Sequence, residues 1–154
     1  MAAKKKKERP FRTEREFTRW FIECALFHDW KVAHFGNTIK FVRRGDQAVA
    51  IPDKDAAGFP DMVCVRERLL CAELKLAPNK PTATQVDWIE SLRDAGVEMH
   101  VWNDRQLEEI EQTLATKIDP RRLARLFVAT DGDMEHSVAV AKLLEQKERG
   151  RSDD

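Results

Sequence analysis

Gly58-Phe59-Pro60-Asp61 and, twelve residues after the aspartate, Glu73-Leu74-Lys75 decide how this chain is read. Two apolar runs lie between them, Met62-Val63-Cys64-Val65 and Leu69-Leu70-Cys71-Ala72, separated by Arg66-Glu67-Arg68. Two short β-prone runs around a few polar residues predict an antiparallel hairpin. With Glu67 at the centre of the turn, Val65 faces Leu69, Val63 faces Cys71 and Asp61 faces Glu73. Directly opposed residues in such a pair stand roughly 5 Å apart at Cβ, and like charges there repel. Side chains alternate along a strand, so Glu73 and Lys75 leave one face roughly 7 Å apart while Leu70, Ala72, Leu74 and Leu76 take the other. No Gly or Asn pins the turn, so this register rests on the apolar pattern.

Two carboxylates and one ammonium therefore converge in an apolar setting. A cation between the acids turns their repulsion into a binding site. Hard divalent cations take oxygen ligands, and Mg²⁺ keeps several waters. Taken singly, Glu-x-Lys reads as a solvated ion pair on a strand edge and Pro-Asp as a turn. The two motifs in register on adjacent strands point to chemistry.

The pattern resembles the PD-(D/E)xK nuclease superfamily, and within it the virus-type replication-repair nuclease (VRR-NUC) branch of stand-alone phage and bacterial proteins. The matching residues begin with Thr13-Glu14-Arg15-Glu16-Phe17 and Asp29-Trp30-Lys31-Val32-Ala33-His34. They continue with Gly58 to Val63, Ala72-Glu73-Leu74-Lys75 and Thr84-Gln85-Val86-Asp87-Trp88. Leu92 to Val97 and Val101-Trp102 complete them, while residues 36–57 and those after about 117 fall outside.

The resemblance implies an α/β (α+β), restriction-endonuclease-like core. Its order is helix, three strands, helix, strand, helix, with a mixed central sheet flanked by helices and extra C-terminal helices. It implies a divalent-metal-dependent endonuclease hydrolysing DNA phosphodiesters, with Mg²⁺ as cofactor and Mn²⁺ able to substitute. The implied catalytic set is Glu14, Asp61, Glu73, Lys75 and Gln85. The implied metal ligands are Asp61, Glu73, the Leu74 carbonyl and Glu14. Stand-alone members resemble four-way-junction resolvases, so branched DNA and a homodimer are expected. The alternative is a non-cleaving nucleic-acid-binding or assembly module on a degenerate nuclease fold.

Thr13 with Glu16 three residues on forms a capping box and predicts a helix start. Phe17, Trp20, Phe21, Cys24 and His28 recur at helical spacing and predict its core face. Glu16 is committed to the cap, which leaves Glu14 either to reach the site or to complement the helix N-terminus. Thr82 with Gln85 predicts a second box, with Val86, Ile89 and Leu92 inward and Gly96 as the stop. Gln85 has two competing roles, the cap and the site. Thr84 could cap instead, which favours the site.

Val32 to Val42 predicts one strand or a loose hairpin around Gly36-Asn37, and Arg43 to Ala57 a flap over the site or a long loop. Val97, Met99 and Val101 predict a strand. A helix capped by Asn103 follows, with Leu107, Ile110 and Leu114 inward. Trp102 belongs to the core or stacks on DNA. Asp119-Pro120 and Asp133 start two further amphipathic helices, one carrying Arg121, Arg122 and Arg125. These pack on the domain, form a dimer interface or face nucleic acid. The expected organisation is a basic flexible tail over 1–12, the nuclease core over 13–117, a helical extension over 118–148 and a disordered tail after it.

The 154 residues suit one domain. Twenty-seven basic residues balance 27 acidic ones, which argues against indiscriminate electrostatic binding to nucleic acid. Charge is uneven locally. Lys4 to Lys7, Arg9, Arg12 and Arg15 outweigh Glu8 and Glu14, and such a run either releases phosphate counterions or is a solvated tail. Arg12, Arg43, Arg44 and Lys80 are the candidate nucleic-acid contacts. No run of ~18 apolar residues predicts a membrane span. The N-terminal lysines have no apolar segment behind them, so no secretory signal is expected. Cys24, Cys64 and Cys71 show no CxxC spacing and predict core thiols of a reducing, cytoplasmic compartment. The four histidines lack zinc-ligand spacing.

Overall fold

Apolar strands that pair through the predicted hairpin organise the structure, a computed structural model describing residues 9–36, 39–45, 47–52 and 57–150. The architecture is α+β. A four-stranded mixed sheet has the order β1-β4-β5-β6, where β1 is Lys31–His34, β4 Met62–Val65, β5 Leu69–Lys75 and β6 Glu98–Asn103. β1–β4 and β4–β5 are antiparallel and β5–β6 is parallel. The sheet's strands and the helices around them follow the expected order: α1 (Glu14–Phe27), three strands, α2 (Ala83–Asp94), β6 and α3 (Leu107–Ala115). α4 (Pro120–Ala129) and α5 (Met134–Arg149) complete the chain.

The hairpin register is the one the apolar pattern predicts: Val63 pairs with Cys71 and Val65 with Leu69. One face of β4 and β5 buries Met62, Cys64, Leu70, Ala72 and Leu74 against Phe17, Phe21 and Ala25 of α1 and Ile110 and Leu114 of α3. On the other face Cys71 and Val63 pack with Met99 and with Ile89 and Leu92 of α2. Trp102 is buried in the first cluster and belongs to the core. Burial holds the Cys64 thiol up at about 12 and the Cys71 thiol at about 11, so both are protonated packing groups.

Several expectations need correction. Arg43 to Ala57 is no simple loop: β2 (Ile39–Arg44) and β3 (Gln47–Pro52) form a separate antiparallel hairpin turned at Gly45, φ +64°. Its register sets Val42 against Val49 and Phe41 against Ala50. Asn103 does not cap α3. That helix begins after Gln106, and the Asn103 side chain accepts the Arg105 N–H instead. Val86 is exposed, because α2 turns only Ile89 and Leu92 inward. The last helix runs one residue past the expected end of the extension, to Arg149. Lys4 to Lys7, Asn37, residues 151–154 and the Arg44 side chain lie outside the described residues.

The turn Arg66-Glu67-Arg68 is a buried junction, where the pattern suggests only polarity. Arg66 Nη1 donates to the carbonyls of His28 and Leu114, each at 2.9 Å, and Nη2 to that of Thr116 at 2.7 Å. Arg68 donates to Thr113 O at 3.2 Å and to Glu98 at 2.6 Å. The last carbonyls of a helix have no partner inside it and attract cations. The two arginines meet that need at the end of α3 and stack over Trp30 at 4.4 and 4.9 Å. Glu67 bonds both arginines and the Ile118 N–H.

α4 and α5 pack on each other through Ile118, Leu123, Val138 and Ala141. Lys142 of α5 reaches Thr113 Oγ1 at 2.9 Å, Glu135 pairs with Arg93 of α2, and Arg122 pairs with Glu148. The extension is thus docked on the core. Among the described residues no helix is long and apolar enough to cross a membrane.

Burial would raise the Glu67 carboxyl, but the arginines and the Ile118 N–H outweigh it and hold it at about 2. A depressed acid stabilises the fold above its unfolded value, and that contribution is lost as pH falls through the folded one. Glu67→Gln is expected to cost about 2–3 kcal/mol at pH 7, with the deficit shrinking between about pH 4.5 and 2. Urea unfolding across that range measures it.

Candidate active site

β5 carries the site because it lies between β4 and β6 and is buried on both faces. Glu73 near its C-terminal end is 0 % exposed. One of its oxygens is fully engaged: Oε1 accepts Lys75 Nζ at 2.7 Å and Gln85 Nε2 at 2.5 Å. The other, Oε2, is buried and has no hydrogen-bond partner. The one comparable oxygen among the described residues, Glu145 Oε2, belongs to a half-exposed side chain on α5.

Asp61 reaches the same place from the end of β4. Strand pairing stops at Met62–Ala72, and the Asp61 side chain continues it, its Oδ2 accepting the Leu74 N–H at 3.1 Å. Gly58, at φ +84°, makes the preceding turn possible. A Cβ there would fall 2.7 Å from Thr84 Cγ2 and 2.8 Å from the Thr84 backbone, so the turn lies directly on α2. Only glycine tolerates both the conformation and the approach.

Gln85 fills both roles that the sequence sets in competition. Its Oε1 accepts the Thr82 N–H at 2.9 Å in a capping box, and its Nε2 donates to Glu73. The two ends of one amide do separate work, and Thr82, not Thr84, is the capping residue. Capping α2 therefore also orients the Glu73 carboxylate.

Burial dominates the titration of the acids. It raises Asp61 above the usual carboxylate range, against the Leu74 N–H and the charges of Lys75 and His34, with Glu14 raising it further. Burial likewise raises Glu73, reinforced by the Asp61 charge and opposed by the Lys75 hydrogen bond and charge and, weakly, by the Asp61 backbone N–H, which makes no hydrogen bond of good geometry to Oε2. For Lys75 burial pulls downward, but the Glu73 hydrogen bond and the charges of Glu73, Asp61 and Glu14 prevail, so it is raised and stays an ammonium at neutral pH.

Asp61, Glu73, Lys75 and Gln85 are thus brought together. Leu74 meets Asp61 through its N–H. Glu14 is exposed at the start of α1, where its charge acts on both Asp61 and Lys75. It does not complete a three-acid cage: among the described residues no three His, Cys, Asp or Glu side chains gather tightly enough to hold an ion. Arg12, Arg43 and Lys80 are exposed and stand outside the hydrogen-bonded cluster. His34 is an addition to the expected set, since its charge acts on Asp61. It lies far from the other site residues in sequence, and only the β1–β4 pairing of His34 with Met62 brings it in.

Two acidic side chains, one with a buried unpartnered oxygen, fit a hard divalent cation. Mg²⁺ is commonly held by one or two carboxylates, with water and substrate phosphate filling the rest. No protein-family model, curated protein or solved structure matches this chain.

Acids raised in the folded state favour it at low pH, a contribution lost as pH rises through their folded values. At pH 8 without metal, Asp61→Asn is therefore expected to be more stable than the parent, on the order of 1 kcal/mol. Mn²⁺ is expected to stabilise the parent at pH 8, by less as the pH falls and the acids take up protons, and to leave Asp61→Asn unchanged. Thermal melts in EDTA and in Mn²⁺ read both effects.

Proposed function

We propose that the protein is a divalent-metal-dependent endonuclease acting on DNA phosphodiesters, built on a restriction-endonuclease-like core. The observation that carries this reading is Glu73, a wholly buried carboxylate with one oxygen clamped and the other unpartnered beside Asp61. Two acids raised by burial, Glu73 also by the Asp61 charge, and set beside a lysine in one cluster are the pattern of a functional-site candidate.

Asp61 and Glu73 supply oxygen donors, with the Leu74 carbonyl as a further donor at the strand end. A bound Mg²⁺ or Mn²⁺ supplies Lewis-acid polarisation of the phosphate and lowers the pKa of a bound water. Lys75, held 2.7 Å from Glu73 as an ammonium, orients the attacking water and stabilises charge on the phosphorane oxygens. Being protonated, it is not the base. Gln85 fixes the Glu73 rotamer, and Glu14 acts through water or supports a second ion. Arg12, Lys80, Arg43 and Arg44 neutralise backbone phosphates. A homodimer places two cuts symmetrically on branched DNA, and two-fold dimers are the commonest oligomers.

Asp61→Ala and Lys75→Ala are each expected to lower Mg²⁺-dependent nicking of labelled DNA by about 10²–10⁴-fold, with circular dichroism unchanged. Parental activity in purified, metal-loaded Asp61→Ala protein contradicts the reading.

A further inference from the structure

Three aromatic rings beside the acids belong to none of the hydrophobic clusters that hold the fold together. Phe35 follows β1, Phe59 lies in the Gly58–Asp61 turn, and Trp88 is on α2 one turn beyond Gln85. Their centroids are 5.3 Å apart from Phe35 to Phe59 and 5.1 Å from Phe59 to Trp88, edge to face at 76° and 82°. The row is fastened to the site. The Phe35 N–H donates to the Asp61 carbonyl at 2.7 Å, and Trp88 Nε1 donates to Ala57 O at 3.1 Å. Phe35 is 40 % exposed, and the other two rings are half-buried.

Single exposed apolar side chains are ordinary, but rings that touch one another in a row make a contiguous apolar surface, and such surfaces mark binding sites. The neighbouring acids and ammonium suit a phosphodiester, and the group one covalent step from a phosphodiester is a sugar carrying a base. A base has a flat π-face that stacks on an aromatic side chain whatever its sequence. A base inside a duplex has both faces occupied by its neighbours, so only an unpaired one can use the row. Asp87 and Glu90 are exposed on the same helix. They disfavour a second phosphate there and leave stacking as the main attraction.

We infer that Phe35, Phe59 and Trp88 form a stacking platform for an unpaired nucleotide next to the scissile phosphate. The base it holds is one without a stacked neighbour on that face, which the interior of a plain duplex does not offer. This rests on the nuclease reading for which phosphate is cut. The binding preference itself needs no metal.

Binding of labelled poly(dT) and of a blunt DNA hairpin duplex, measured by fluorescence anisotropy in EDTA, tests the platform. The parent is expected to prefer poly(dT). Phe35→Ala, at an exposed position, is expected to weaken poly(dT) binding by roughly fivefold to a hundredfold while leaving the duplex unchanged, and Phe35→Trp to restore it. No preference for poly(dT), equal losses on both ligands, or no loss overturns the platform. Mg²⁺-dependent cleavage is scored separately on the same proteins. Cleavage that survives with no stacking preference removes the platform and keeps the nuclease. A stacking preference without any cleavage keeps the platform and removes the nuclease.

Discussion

The structure depends on a carboxylate kept out of water at the end of its central strand. Removing such an ion from solvent costs several kcal/mol even after the protein relaxes. Glu73 recovers only part of that cost through Lys75 and Gln85, since Oε2 takes no bond. The nearby elements are arranged around this deficit. The capping box of α2 holds the amide that orients Glu73, the glycine turn carries Asp61 in from the side, and Lys75 supplies a counter-charge.

The two ends of the β4–β5 hairpin make an internal comparison. Both bury charges. At the turn end the oxygens of Glu67 and Glu98 are all bonded, by Arg66, Arg68, His100 and the Ile118 N–H. Those charges close the end of α3 and anchor the segment leading to α4. At the open end one buried oxygen is left over and both acids are pushed upward. A fold that satisfies every acid at one end of a hairpin could do so at the other, so the unmet need at Asp61 and Glu73 is best read as room for a ligand.

Local rules made much of this legible in the sequence. The hairpin register followed from two apolar runs of equal length, and both capping boxes from Thr and Glu or Gln three apart. What escaped depends on distant partners. Arg66 and Arg68 look like turn residues until α3 arrives 45 to 50 positions later. His34 joins the site only by strand pairing. Gln85 seemed to face a choice because a linear reading gives a side chain one job, whereas its two amide atoms point at different groups. The β2–β3 hairpin was missed although Gly45-Asp46 is a two-residue hairpin signal, because the polar residues Arg43, Arg44 and Gln47 beside it hide the strand pattern.

An anomalous-difference map from crystals grown with Mn²⁺ tests the central claim most directly. A cation held by both acids gives a peak about 2.1 Å from Glu73 Oε2, shared with an Asp61 oxygen, with Lys75 and Gln85 still on Oε1. A map without that peak, or with Glu73 Oε2 bonded to a protein group or water in its place, contradicts it.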